Sequence, residues 1–217
     1  LHDHGHGLHD DGYCRGHRPH LARRVEHPCA GCQPPAHVGG LRATQLDALS
    51  TTGLAALTTA QIRVLSAAAL AGLSADQLNR FSTTQMAALT PTQLAAVTTT
   101  GLNGLSATQW GALAASQIRG VTPRQLGALS PEAVALLSTA QISALSALQM
   151  GGFTDTGVEA LSAAQLSALT STQLAGLATG AVDALTETQM QALTATQLRG
   201  LAAAQLGALS TYGLDGL

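Results

Sequence analysis

The sequence predicts an all-α solenoid of very short capped helices, one to every eight residues. Three observations carry that reading. A phrase close to Ser/Thr-x-x-Gln-Leu-x-small-Leu repeats twenty-two times in unbroken register from Arg42 to Leu217. The first and fourth residues of the phrase have the spacing of a capping box, and prolines inside the array fall only where a helix can begin. A period that strict marks a repeat architecture in which neighbouring units bury each other's apolar faces. The chain therefore divides into an irregular leader, residues 1–40, and an octapeptide array, residues 41–217; a β-solenoid is the alternative architecture.

The leader holds all eight histidines and all three cysteines, with Gly, Pro, Asp and Arg and no hydrophobic period. Three readings compete. In the first it binds metal: Cys29 and Cys32 form a Cys-x-x-Cys flanked by His27 and His37, while His2, His4, His6 and His9 form a second cluster. Thiolate and imidazole are the ligand types zinc or copper takes. A structural zinc site needs a second pair, which Cys14 and His17 would have to supply. In the second it is a disordered polar segment that keeps a Cys29–Cys32 disulfide or free thiols. In the third it is repeat DNA translated out of phase, a reading suggested by an Ala/Leu/Gly-rich array without lysine. It has neither a basic stretch followed by an apolar one nor a cleavage site, so no signal peptide is read.

In the array, counting in eights from Gln45 lands on Gln61, Gln77, Gln85 and onward to Gln205, and the skipped stations hold only Gly or Ala: Gly53, Ala69, Gly101, Ala133, Gly157, Ala181 and Gly213. Those stations recur at irregular multiples of eight and show no superperiod along the sequence. The fifth and eighth residues of each copy are apolar, usually Leu. A continuous helix would turn these anchors by about 80° per copy and bury no consistent face. A strand would place them on opposite faces, since they alternate spacings of three and five.

A helix restarted in every copy removes both conflicts. The Ser or Thr at the first position caps the third helical amide and Gln reaches back to the cap amide, as in Ser74 with Gln77, Ser82 with Gln85 and Thr186 with Gln189. Pro91, Pro123 and Pro131 stand directly after the cap, where a missing N–H and a preset φ are harmless. Asp76, Glu132, Asp155 and Glu187 fall early in their copies and Arg63, Arg80, Arg119 and Arg199 late, as the helix dipole favours. Two turns of helix are too short to stand alone, so stacking must hold them. Small residues before the second anchor, among them Gly72, Gly104, Gly120, Gly176 and Gly200, predict close backbone approach and a loosened helix end.

Composition narrows the function. A net charge of −2, no lysine and singly spaced arginines leave no basic stripe for nucleic acid. Apolar runs are broken every few residues, so no membrane span is expected. The array has no His or Cys and its acids stand singly, which leaves no catalytic constellation and no catalytic or cofactor-binding residue to name. Ser and Thr read as caps, Gln as a cap worth at most about 1 kcal/mol, and Trp110 and Phe153 as core variants. The chain begins at Leu1 without Met and ends on a complete copy, and so reads as a piece of something longer.

Phrases such as Ala-Leu-Thr-Pro-Thr-Gln-Leu (88–94) and Ala-Leu-Thr-Ala-Thr-Gln-Leu (192–198) resemble the octapeptide tracts of very large bacterial secreted or cell-surface proteins of the adhesin and hemolysin-like type. The resemblance covers the array and implies a stalk or spacer between binding modules, in an extracellular or cell-surface setting. The leading expectation is a non-catalytic structural spacer or scaffold, with protein or cell-surface partners and lateral or end-to-end self-association. The rival is a binding module: a zinc-holding leader (His27, Cys29, Cys32, His37) carried on a rod, or a Thr-rich face binding glycan or ice, motivated by Thr51, Thr52, Thr59, Thr83, Thr84, Thr99 and Thr100.

Overall fold

The computed structural model describes residues 39–41 and 43–209. Among them are twenty-one helices of four to six residues, from Ala43–Asp47 to Ala203–Ala208, and no strand. The helices begin where the capping phrase places them. Ser74 Oγ accepts the Gln77 amide at 3.2 Å while Gln77 Oε1 accepts the Ser74 amide at 2.8 Å. Thr186 and Gln189 exchange the same pair of bonds at 2.9 and 3.3 Å. Pro91, Pro123 and Pro131 each open a helix.

Each helix also ends in the same way. The amide of the eighth residue bonds the carbonyl of the fifth, as Leu57 does to Leu54 at 3.2 Å and Leu145 to Ile142 at 3.1 Å, which tightens the last turn. Where the eighth residue is the C-cap it is extended, as at Leu89 (φ −62°, ψ 138°), and so is the next cap, Thr90 (φ −82°, ψ 158°). Two extended residues thus lead the chain from one helix into the next, and no longer loop is needed.

The helices coil. Ala67–Ala71 packs on Pro91–Ala96, and Asp155–Glu159 on Thr179–Asp183, in both cases the helix three copies on. Gln85 bonds the carbonyls of Leu54 and Leu57, which belong to the copy four before its own. Neighbours at both three and four copies fix a coil of between three and four copies per turn, about 28 residues, the sequence span of the shorter glutamine bond. Anchors at the fifth and eighth positions, such as Leu54, Ile62, Leu94, Ile142 and Leu166 with Leu57, Leu65, Val97, Leu145 and Leu169, form one continuous core along it. Trp110 and Phe153 are part of that core, 1% and 3% exposed.

Glycine before the second anchor works by close approach alone. A Cβ on Gly120 would lie 2.1 Å from the Pro91 carbonyl oxygen, and one on Gly152 2.2 Å from that of Pro123, three copies back in each case. The expected loosening of the helix end is not what these residues supply. Gly104 and Gly176 have φ of −82° and −77°, ordinary helical backbone open to any residue.

Candidate functional site

The repeated polar feature of the coil is the glutamine at the fourth position. Gln141 is 2% exposed. Its Oε1 accepts the Ser138 amide at 2.8 Å, closing the capping box of its own helix. Its Nε2 donates at 2.7 Å to the carbonyls of both Trp110 and Leu113, the two anchors of the copy four back. One side chain therefore satisfies a donor at the start of one helix and adds a partner to the carbonyls at the end of another. The same double bond to the earlier anchors is made by Gln85, Gln93, Gln109, Gln117, Gln125, Gln149, Gln165, Gln173, Gln189, Gln197 and Gln205. Read from the sequence, glutamine is a cap and nothing more; the structure makes it the tie between turns.

The stations without glutamine also fall into order. From Ala69, Gly101 and Ala133 follow at four-copy steps, and Gly157 and Ala181 at three-copy steps. Three and four copies are the neighbour relations of the coil, so each of these five stations lies next to the one before it. The helices of the last three stack directly, Pro131–Ala135 on Asp155–Glu159 and the latter on Thr179–Asp183. At one of these stations a second amide does part of the missing work. Ala133 cannot accept the Ser130 amide, and Asn103 Oδ1, from the copy four back, accepts it at 2.8 Å while Asn103 Nδ2 donates to the Ala128 carbonyl at 2.8 Å.

Charge is sorted by the same coil. Asp76, Glu132, Asp155, Glu159, Asp183 and Glu187 are exposed. The copies of Glu132, of Asp155 with Glu159, and of Asp183 are the three that stack directly. The copy of Glu187 is tied to them, since Gln189 donates to the Glu159 carbonyl at 3.0 Å. Arg63, Arg119 and Arg199 are exposed as well. They lie two copies from those of Asp76, Glu132 and Asp183 respectively, roughly half a turn, and so face the other way. Arg80 shares the copy of Asp76 and Arg124 sits one copy before Glu132, so the unmixed acidic stretch runs from Glu132 to Glu187. The Glu132 carboxyl is held below the usual carboxylate range by hydrogen bonds from its own backbone amide and the Ser130 hydroxyl.

The threonines singled out by the sequence occupy the first turns of their helices. Thr52, Thr59, Thr83, Thr84 and Thr100 are exposed and Thr99 is half-buried. The helix of the copy opened by Thr58 packs on that of the copy opened by Ser82, and Gln85 ties the latter to the copy opened by Ser50, while the copy opened by Thr98 lies two copies beyond Ser82's. The candidate metal ligands His27, Cys29, Cys32 and His37 lie outside the described residues. Among the described residues no group of His, Cys, Asp and Glu is placed to hold a metal ion, and no helix is long and apolar enough to cross a membrane.

No curated protein matches the chain. A family model described as the ALTTAQ repeat matches residues 54–91. Ala56-Leu57-Thr58-Thr59-Ala60-Gln61 spells that phrase, running from one second anchor through the next cap to a station glutamine. The match and the regular stacking of short helices agree on a repeat-based structural module.

Proposed function

We propose that the array is a non-catalytic spacer or scaffold of a large bacterial surface or secreted protein, working outside the cell. The observation that carries this is the glutamine tie, which makes every turn hold the next in the same way however many turns there are. Such a coil transmits position along its axis, and apart from Val64, Leu136, Leu148 and Leu206 its exposed residues are mostly small or polar, as suits a stalk. If this is right, arrays of increasing copy number show a helical circular dichroism spectrum, a melting point that climbs with length and a maximum dimension by X-ray scattering that grows in proportion to copy number. A random-coil spectrum, or a radius that grows as that of a sphere, removes the proposal.

The leader supports a second role, zinc binding by Cys29, Cys32, His27 and His37, which rests on the Cys-x-x-Cys with flanking imidazoles. Zinc titration of the chain and of its Cys29→Ser variant tests it: stoichiometric binding lost in the variant supports the site, and equal uptake by both refutes it.

A further inference from the structure

We propose that the array carries a seam, an unbroken line of turn-to-turn joints that no glutamine ties, along which the coil opens first and which gives it a preferred direction of bending. This goes beyond the spacer reading and needs only the coil that reading also needs. At a tied joint the station glutamine donates to both anchor carbonyls of the copy four back, as Gln141 does to Trp110 and Leu113 and Gln173 to Ile142 and Leu145. At the joints of Gly101, Ala133, Gly157 and Ala181 the station has no amide to give. The second anchors four copies back are Leu73, Leu105, Leu129 and Phe153, all buried, and their carbonyls take no hydrogen bond from any described residue. The cap amides of Thr98, Thr154 and Ala178 likewise find no acceptor among the described residues. These joints are consecutive. Those of Gly101 and Ala133 share the copy 98–105, and those of Ala133, Gly157 and Ala181 adjoin because Pro131–Ala135, Asp155–Glu159 and Thr179–Asp183 stack directly. Tied joints flank the line, with Gln125 and Gln141 on either side of Ala133 and Gln173 and Gln189 on either side of Ala181.

A joint without its glutamine lacks the two bonds that Gln141 sends across to the earlier copy. Each is worth roughly fivefold in an equilibrium, so an untied joint parts about tenfold or more as readily. Missing ties scattered around the coil would soften it evenly. Missing ties in one file leave the tied joints of each turn as the hinge, so the turns part along the file and the coil bends away from it. One residue clasps the line. Asn103, on the earlier copy of the Ala133 joint, accepts the Ser130 amide at 2.8 Å and donates to the Ala128 carbonyl at 2.8 Å, and so holds two copies of the next turn. The Ala133 joint is therefore firmer than that of Gly157, which no side chain among the described residues crosses.

The amides of the second anchors read the seam, because each makes the same local bond whether or not its joint is tied: Leu129 to Leu126 at 3.2 Å, Phe153 to Met150 at 3.1 Å, Leu145 to Ile142 at 3.1 Å. Unequal protection among them reports the joint and not that bond. Hydrogen exchange on the full chain with thiols kept reduced, resolved by residue with NMR, is expected to show Leu129 and Phe153 about tenfold less protected than Leu113, Leu137 and Leu145, with Leu105 between. Two variants move the seam in opposite senses. Asn103→Ala removes the clasp and brings Leu105 down to the level of Leu129, while Leu145 stays as it was. Ala181→Gln supplies a tie of the kind Gln109 makes to Leu78 and Phe81, and brings Phe153 up to the level of Leu145 with Leu129 unmoved. A parent in which Leu129 and Phe153 are as protected as Leu145 overturns the proposal. So does an Asn103→Ala variant that lowers all these amides alike, or a helical Ala181→Gln variant in which Phe153 gains no protection. The parent and Asn103→Ala decide the matter by themselves if Ala181→Gln does not fold. Circular dichroism on the same samples separates the two readings. Even protection in a helical chain ends this inference alone, whereas a random-coil spectrum ends the spacer reading and this one with it.

Discussion

The copy 138–145 and the copy 178–185 form the same helix with different means. In the first, Ser138 caps and Gln141 ties the copy to Trp110 and Leu113. In the second, Ala178 offers no side-chain cap and Ala181 has no amide to give. Both nonetheless run for five residues from the second position, Thr139–Ser143 and Thr179–Asp183, with anchors Ile142 and Val182 fully buried. The place of a helix is therefore set by the phase of its anchors and by the neighbours already stacked, while cap and tie set how firmly it is held. One copy in several can lack both, because the helices around it supply the register.

That comparison can be broken at its strongest point. Gln141→Ala leaves the Ser138 amide and the buried Leu113 carbonyl without their partner and the Trp110 carbonyl with the Leu113 amide alone, and the expected loss is about 3 kcal/mol, read as a lowered urea midpoint. A loss under about 1 kcal/mol would mean the amide is only a cap. Next in size is Gly120→Ala, whose new methyl meets the Pro91 backbone; overpacking against backbone costs about 2 kcal/mol. Gly111→Ala, a helical glycine with nothing within 4 Å of the added carbon, should instead stabilise by about 0.5–1 kcal/mol. Equal effects at the two glycines would refute the close-approach account.

The comparison can also be sharpened from the weak side. Ala178→Ser supplies the hydroxyl that the copy lacks and should add about 1 kcal/mol, whereas Ala181 still withholds the tie; thermal melting of the variant reads the cap by itself. The smallest effect belongs to Glu132. Its folded pKa is depressed, so it contributes stability above the ordinary glutamate value and loses it as pH falls through the depressed one. The melting difference between the parent and Glu132→Gln should be present at neutral pH and vanish in acid; a difference that persists below the carboxylate range contradicts the assignment.

Most of the local structure was legible in the sequence, because capping is a matter of three-residue spacing. Ser82 with Gln85 and Pro91 after Thr90 announce a helix start without reference to anything distant. The number of copies per turn was not legible, and neither was the second role of Gln141, since its partners lie 28 and 31 residues back and nothing local marks them. The irregular steps between Ala69, Gly101, Ala133, Gly157 and Ala181 mislead for the same reason: steps of 24 and 32 residues look unrelated along a line and are adjacent on a coil of three to four copies per turn. The glycines were half legible. Their small size pointed to contact, but the left-handed backbone that often accompanies a helix end does not occur at Gly104 or Gly176.

A coil whose ties join each turn to the next restricts how its gene can lengthen. Duplicating a single octapeptide keeps every helix capped and every glutamine facing a pair of carbonyls, yet it rotates everything beyond the insertion by more than a quarter of a circle. Residues that shared a side would then point apart. Gains or losses of seven octapeptides preserve the alignment and those of three or four nearly do, so recombination within such an array is neutral for folding but selective for orientation.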